Sequence, residues 1–315
     1  MIKRFQNKVA ESRYTLPVTA AYGIGMWLLC GLIQQNWWIQ FACYMISTYL
    51  MIELNNSNAL IRIYSRTVSA AFVILTCMAC FLFPSLEGAI AQLCLVASLL
   101  TVFRTYQDKA SAGWTFYTFL FLGLGSLANI HVVCFVPAYW ILMGFLVYSL
   151  SWRTFIASLL GLLMPYWFMS AWILWKYGDE FATPFGAHFA PLADVQIPPD
   201  YLAVSLPCTL SFLVLVILFI TGSIHFFRTS FHDKIRIRQL FYSFIFLNIV
   251  ATFFTLIQPQ HADLMMRMMI ITASPVIAHF ISLTNTRITN IAFIAITAFC
   301  LILTVFNLWI SSFIF

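Results

Sequence analysis

The sequence predicts an all-α fold, a polytopic transmembrane bundle of about eleven helices with its N-terminus inside the cell and its C-terminus outside. Three observations predict it. Charge is scarce: of 315 residues, 62% are hydrophobic and 8% charged, and the mean hydropathy is +0.92. A soluble domain carries roughly a quarter charged residues, so this chain cannot cover a water-facing surface of its own size. The apolar residues are also gathered into runs long enough to span a bilayer as helices. Finally, the basic residues between those runs fall almost entirely on one side when the runs are threaded alternately.

Taken in order, the first run, 16–34, follows Lys3, Arg4, Lys8 and Arg13. No small-residue cleavage site follows it, so it reads as a retained signal anchor. Gln34, Gln35 and Asn36 end it, and Trp37-Trp38 opens the second run, 37–53. The polar stretch from Glu53 to Asn58 closes that one, and the runs 67–84 and 88–104 follow on either side of the turn FPSLEG. Runs 113–129 and 132–150 meet at Asn129 and His131, and 154–175 leads into the longest break, Lys176 to Asp200. With Pro184, Pro191, Pro198 and Pro199 in that break, no regular helix is expected there. Its Phe181, Phe185, Phe189, Leu192 and Ile197 suit a segment folded over the external helix ends as a candidate lid. Runs 202–226, 237–257, 265–283 and 288–312 complete a single transmembrane domain over 1–315. Barrel strands are excluded, because the runs are too long and lack two-residue alternation.

Orientation follows from the charges. Lys3, Arg4, Lys8, Arg13, Arg62, Arg66, Arg104, Lys109, Arg153, Arg228, Lys234, Arg236, Arg238 and Arg287 map to the cytoplasmic side, and only Lys176 and Arg267 of the sixteen map outside. One missed run would scramble this parity from that point onward. The same dispersal over successive turns removes nucleic acid as a partner, despite the net charge of +6.

Polar groups at or within spans are expensive and ask for an account. Glu87 sits in the turn between the third and fourth runs; it is either a water-facing carboxylate or a base. Asn129 and His131 occupy the next turn on that side, where a histidine is a base, a ligand or an interfacial polar group. Asp179 lies in the long break, and His261 and Arg267 stand before and within the Met-rich start of the tenth run, MMRMM. A guanidinium there suits a lipid phosphate, which it can grip bidentately, or it snorkels to the headgroups. We expect Glu87, His131 and Arg267 to face one external cavity. On the cytoplasmic side the candidates are Glu53, Asp108 and Asp233. No metal is expected, because no two histidines share a helix face at ligand spacing. The eight cysteines lie mostly inside apolar runs and read as packing. Gly123 and Gly125 read as close helix packing rather than a phosphate loop, since no strand precedes them. The sequence names no cofactor.

Two resemblances follow from these residues. The stretch from Ile52 to Trp172, with IELNNSNALIRIYSRT, FLFPSLEG, VASLLTVFR and MPYWF, resembles an uncharacterised polytopic inner-membrane family of Bacteroidetes. That implies the cytoplasmic membrane of a bacterium and no particular chemistry. The order of features is also similar to GT-C-type glycosyltransferases that use polyprenyl-phosphate sugars. Glu87 matches their early external acid, GLGSLANIH (Gly123 to His131) their helix ending in an external polar residue, and Arg267 with Pro275 their late arginine and proline. The departure is the first external loop, here QQNW, which carries no acid.

The resemblance implies a transferase, or a degenerate relative, acting on a polyprenyl-phosphate-linked glycan at the external face of the cell envelope. Glu87 or Asp179 would then act as base beside His131, with Arg267, His261 and Asn129 on the substrate. The alternative is a non-catalytic scaffold that binds membrane protein partners in an assembly. A transporter or flippase stands third, because nearly every charge maps to a span end rather than to a midplane.

Overall fold

The computed structural model describes residues 4–201 and 204–314, except for the side chains of Asp179 and of residues 311–314. Among the described residues it is all helix, with no strand. Each of the eleven apolar runs holds a helix: α2 (Thr15–Leu29), α3 (Trp38–Asn58), α4 (Thr67–Met78), α5 (Leu86–Arg104), α6 (Ala112–Ala128), α7 (Phe135–Phe145), α8 (Trp152–Tyr177), α10 (Leu206–Thr229), α11 (Ile235–Ile257), α12 (Ala262–Leu283) and α13 (Arg287–Ile314). Six of them, α5, α8, α10, α11, α12 and α13, are long and apolar enough to cross a membrane.

Two further helices stand outside the runs. The first, α1 (Phe5–Glu11), is short and lies against α12 and α13. The second, α9 (Ala182–Phe189), corrects the expectation that prolines exclude a helix from the long break. Pro184 is its third residue, in the first turn, where a missing N–H has no intrahelical bond to lose. Around α9 the segment folds over one end of the bundle. Phe189 stacks on Tyr166 of α8 at 5.5 Å, the Gln196 N–H donates to Gln258 Oε1 at 3.2 Å, and the Gln260 amide donates to the Asp194 carbonyl at 3.0 Å.

Local chemistry sets the helix limits. Ser85 caps α5 by accepting from the Gly88 N–H at 3.0 Å, and Glu87 and Arg104 match the helix dipole at its two ends. Ser151 and Thr154 form a reciprocal capping box at the start of α8. Helices α6 and α8 then pack backbone to backbone: a Cβ at Gly161 would lie 2.3 Å from the Phe116 carbonyl, and one at Gly123 2.8 Å from the Leu162 carbonyl. Small residues at such crossings let dispersion act where lipid supplies no hydrophobic drive.

At the centre stands α12, packed against α4, α5, α10 and α11, with every residue from 264 to 282 buried. Polar ties hold it. Asn248 of α11 donates to the Met269 carbonyl at 3.1 Å and to Thr272 Oγ1 at 2.8 Å. Gln6 of α1 is fully buried and donates to the Ile281 carbonyl at 2.5 Å and to Thr284 Oγ1 at 2.6 Å.

The contacts between connections sort into two ends. At one end Arg62 meets Asp233, Arg236 meets Asn58, and Ser65 lies near Ser282. At the other end Gln40 meets the Pro84 carbonyl and His131 meets His261. Successive helices therefore run up and down.

Candidate functional site

Arg267, in the second turn of α12, is a deeply buried charge, only 4% exposed. Its Nη1 donates to Gln92 Oε1 of α5 at 2.9 Å, and its Nη2 donates to the Leu82 carbonyl at the end of α4. The remaining N–H, on Nε, has no partner. Room for the guanidinium comes from Gly88, where a Cβ would lie 2.5 Å from Nε and 2.8 Å from Cζ. Among the described residues no carboxylate pairs with Arg267 within 4 Å. A small cavity adjoins it, lined also by Trp27, Gln40, Tyr44, Thr76, Phe83 and Gln92. Trp27 closes one side, stacked flat on Phe83 at 4.0 Å, and its indole N–H is likewise buried without a partner.

Of Glu87, His131 and Arg267, which were expected to face one cavity, only Arg267 lines the small cavity described above. Glu87 and Gly88 are neighbours in the first turn of α5 but point to different faces, so Gly88 meets the guanidinium while Glu87 is exposed. His131, in the 3-10 turn Ile130–Cys134, stacks instead on His261 at 3.6 Å with the rings inclined by 30°. Asn129 fixes that turn, because its Oδ1 accepts from the His131 backbone N–H at 3.2 Å and lies 3.3 Å from the ring Nδ1. Three candidates, Asn129, His131 and His261, are thus brought together beside the segment around Asp194. Asp179 lies outside the described side chains. Among the described residues no group of three histidine, cysteine or acidic side chains could hold a metal.

At the opposite end of the bundle is a second buried polar cluster. Asp233, in the α10–α11 turn, meets Arg62 Nε at 2.9 Å and His279 Nε2 of α12 at 3.1 Å. The His225 ring of α10 lies 5.5 Å from the His279 ring. Of this cluster, sequence reasoning had singled out only Asp233. Gln92 and His279 each place a strongly polar side chain inside a predominantly apolar run, and that was the signal available for both.

A larger cavity is of another kind. A groove of about 480 Å³ opens between α1, α2, α4, α12 and α13. At its mouth are Lys8, Ser12, Tyr14 and Thr15; in its depth are Ile74, Leu75, Leu218, Ile277, Ile296 and Cys300. Its one charged residue, Lys8, lies at the end that the sequence assigns to the cytoplasm, while Thr19 and Thr297 line it further along.

No family model, no curated protein and no solved structure matches this chain. The architecture, with six membrane-capable helices around a buried polar core, is that of an integral multi-pass membrane protein.

Proposed function

We propose that the chain is an eleven-span protein of a bacterial cytoplasmic membrane, N-terminus inside, that works as a lipid-holding assembly subunit. The observation that carries this reading is the groove beside α1. It is apolar along its depth and basic at one mouth, which is the pattern of an amphiphile with one apolar chain and an anionic head. Its volume falls within the roughly 300–1,000 Å³ of small-molecule sites. We commit to an anionic glycerophospholipid as the occupant, with a chain along Ile74, Ile277 and Cys300 and its phosphate at Lys8.

Discrimination in such a groove comes from the head rather than the tail. A tail leaves other tails to enter, so its burial gains little, because lipid chains are as apolar as the lining. A lysine near the surface contributes about 1 kcal/mol toward an anionic head, or roughly fivefold. The transferase reading finds less support, because its acid, histidine and arginine lie in three separate environments. The eleven-span threading is supported by the sorting of the connections into two ends and by the placement of the basic residues.

Mass spectrometry of the detergent-purified protein, with lipids retained, tests the reading. The expected result is a co-purified anionic phospholipid whose excess over zwitterionic lipid falls about fivefold in Lys8→Gln. Retention of a zwitterionic lipid, or of a polyprenyl phosphate in its place, would overturn the assignment.

A further inference from the structure

His131 and His261 come from two separate turns and stack at 3.6 Å where the segment around α9 meets the bundle. We infer that the pair is a proton-operated latch: neutral, it holds that segment against the helix ends, and charged, it lets the segment go. Each ring hydrogen-bonds a backbone group of the segment, His131 at Pro191 and His261 at Asp194. Since proline has no N–H, the His131 ring is the donor and the Pro191 carbonyl accepts. The two rings are therefore contacts of the segment as well as of each other.

Charge separates this pair from ordinary packing. Two neutral imidazoles stack much as two phenyl rings do, but two imidazoliums at 3.6 Å repel. His131 is buried, so water screens that repulsion poorly. Asp194 is the carboxylate that acts on both rings, and it offsets part of the repulsion. Asp263, at the start of α12, acts on Arg267 instead. Cys134, in the turn of His131, is a neutral thiol at acidic pH, and His188 packs on Tyr166 and Phe189. Closing over charged rings is costlier than closing over neutral ones, so the open form binds protons better. The latch therefore holds above the ordinary imidazole range, about pH 6.5, and loosens as pH falls through it.

The segment is built to move. Helix α9 buries none of its residues. The ties that hold the segment beside the histidines are neutral: Phe189 on Tyr166, the Gln196 N–H on Gln258, and the Gln260 amide on the Asp194 carbonyl. Gly178 begins the segment at the end of α8 with φ at +53°, and a Cβ there would meet nothing within 4 Å, so the chain can turn at that point. The latch depends neither on what fills the groove beside α1 nor on which side of the membrane this end faces.

Amide hydrogen exchange of the full chain in detergent, between about pH 7.5 and about pH 5, tests the latch, with each rate taken relative to the intrinsic rate at that pH. Exchange across 187–197 is expected to rise toward roughly tenfold per pH unit below about pH 6.5, the slope of one proton taken up on opening, while α5 stays protected. His131→Gln combined with His261→Gln keeps a donor at each position, removes both charges and should flatten the profile. Asp194→Asn, on the exposed segment, removes the offsetting carboxylate and should move the opening to higher pH. A flat wild-type profile would overturn the inference. So would a slope that survives in the double variant, or a rise shared by α5, which would be general unfolding. Should the double variant fail to fold, Asp194→Asn decides, and an unshifted opening overturns the latch.

Discussion

Helices α12 and α13 are consecutive, both apolar and both long enough to span a membrane, yet they occupy opposite environments. In α12, 94% of the most apolar stretch is buried, against 22% in α13, and it is α13 that is the more apolar of the two. In a water-soluble protein the order would be reversed. A bilayer makes contact with solvent tolerable for an apolar helix and intolerable for a polar one. Of the polar side chains of α12, Arg267, Thr272, His279 and Ser282 take partners from other elements, whereas Ser274 bonds the Ile270 carbonyl of its own helix. In α13, Ile291, Ile302 and Val305 are each about two-thirds exposed and need nothing but lipid. Polarity, more than hydropathy, therefore marks the core of this bundle.

Substitutions can break or sharpen this contrast. The largest effect is expected on α12 from Arg267→Ala, which leaves Gln92 and the Leu82 carbonyl unpartnered around a cavity. We expect a loss of about 3–5 kcal/mol, read from thermal unfolding in detergent. Wild-type stability in this variant would mean that the guanidinium is not part of the packed core.

A somewhat smaller penalty is expected on α13 for the opposite change. Ile302, mid-helix and exposed, becomes costly only when it becomes polar. Ile302→Lys should raise the apparent insertion free energy of that helix by roughly 2.5–3.5 kcal/mol, measured with a glycosylation reporter. Unchanged insertion would place this face against protein or water rather than lipid.

Next comes Met268→Ala on α12, where a fully buried side chain is shortened. A loss of about 2–3 kcal/mol is expected, whereas the equivalent truncation Ile302→Ala should stay within about 0.5 kcal/mol. Equal effects at the two sites would remove the contrast. The smallest change is Asn248→Ala, which deletes two hydrogen bonds to α12; polar ties in membranes contribute only about 0.6 kcal/mol on average. A loss above about 2 kcal/mol would mark Asn248 as part of a larger network.

Much of the architecture was legible in the chain. Each of the eleven runs located a helix, although several ends differ by five or six residues, as in run 67–84 against α4 (Thr67–Met78), because a bilayer demands length and apolarity that few other structures need. In the long break the packing of Phe189 on Tyr166 suits its apolar composition, but Ile197 is 85% exposed and α9 was not legible. Proline reads as a breaker unless its place in the first turn is known in advance. The candidate site was legible in pieces. Arg267 stood out as a charge in an apolar run, and Asn129, His131 and His261 as polar groups at span ends. Their partners were not legible: Gln92 lies 175 residues from Arg267, and Asp233 lies 46 from His279.

The sequence by itself determined the all-helical class and where the helices lie along the chain. Each of these depends on local composition, and a membrane reads composition segment by segment. Only the tertiary structure decided that Gly88 rather than Glu87 faces Arg267, that His131 stacks on His261, and that α12 lies inside while α13 lies outside. Those outcomes depend on helix rotation and neighbour choice. They are set by shape at crossings such as Gly161 on Phe116 and by hydrogen bonds between residues far apart in the chain, which no local pattern records.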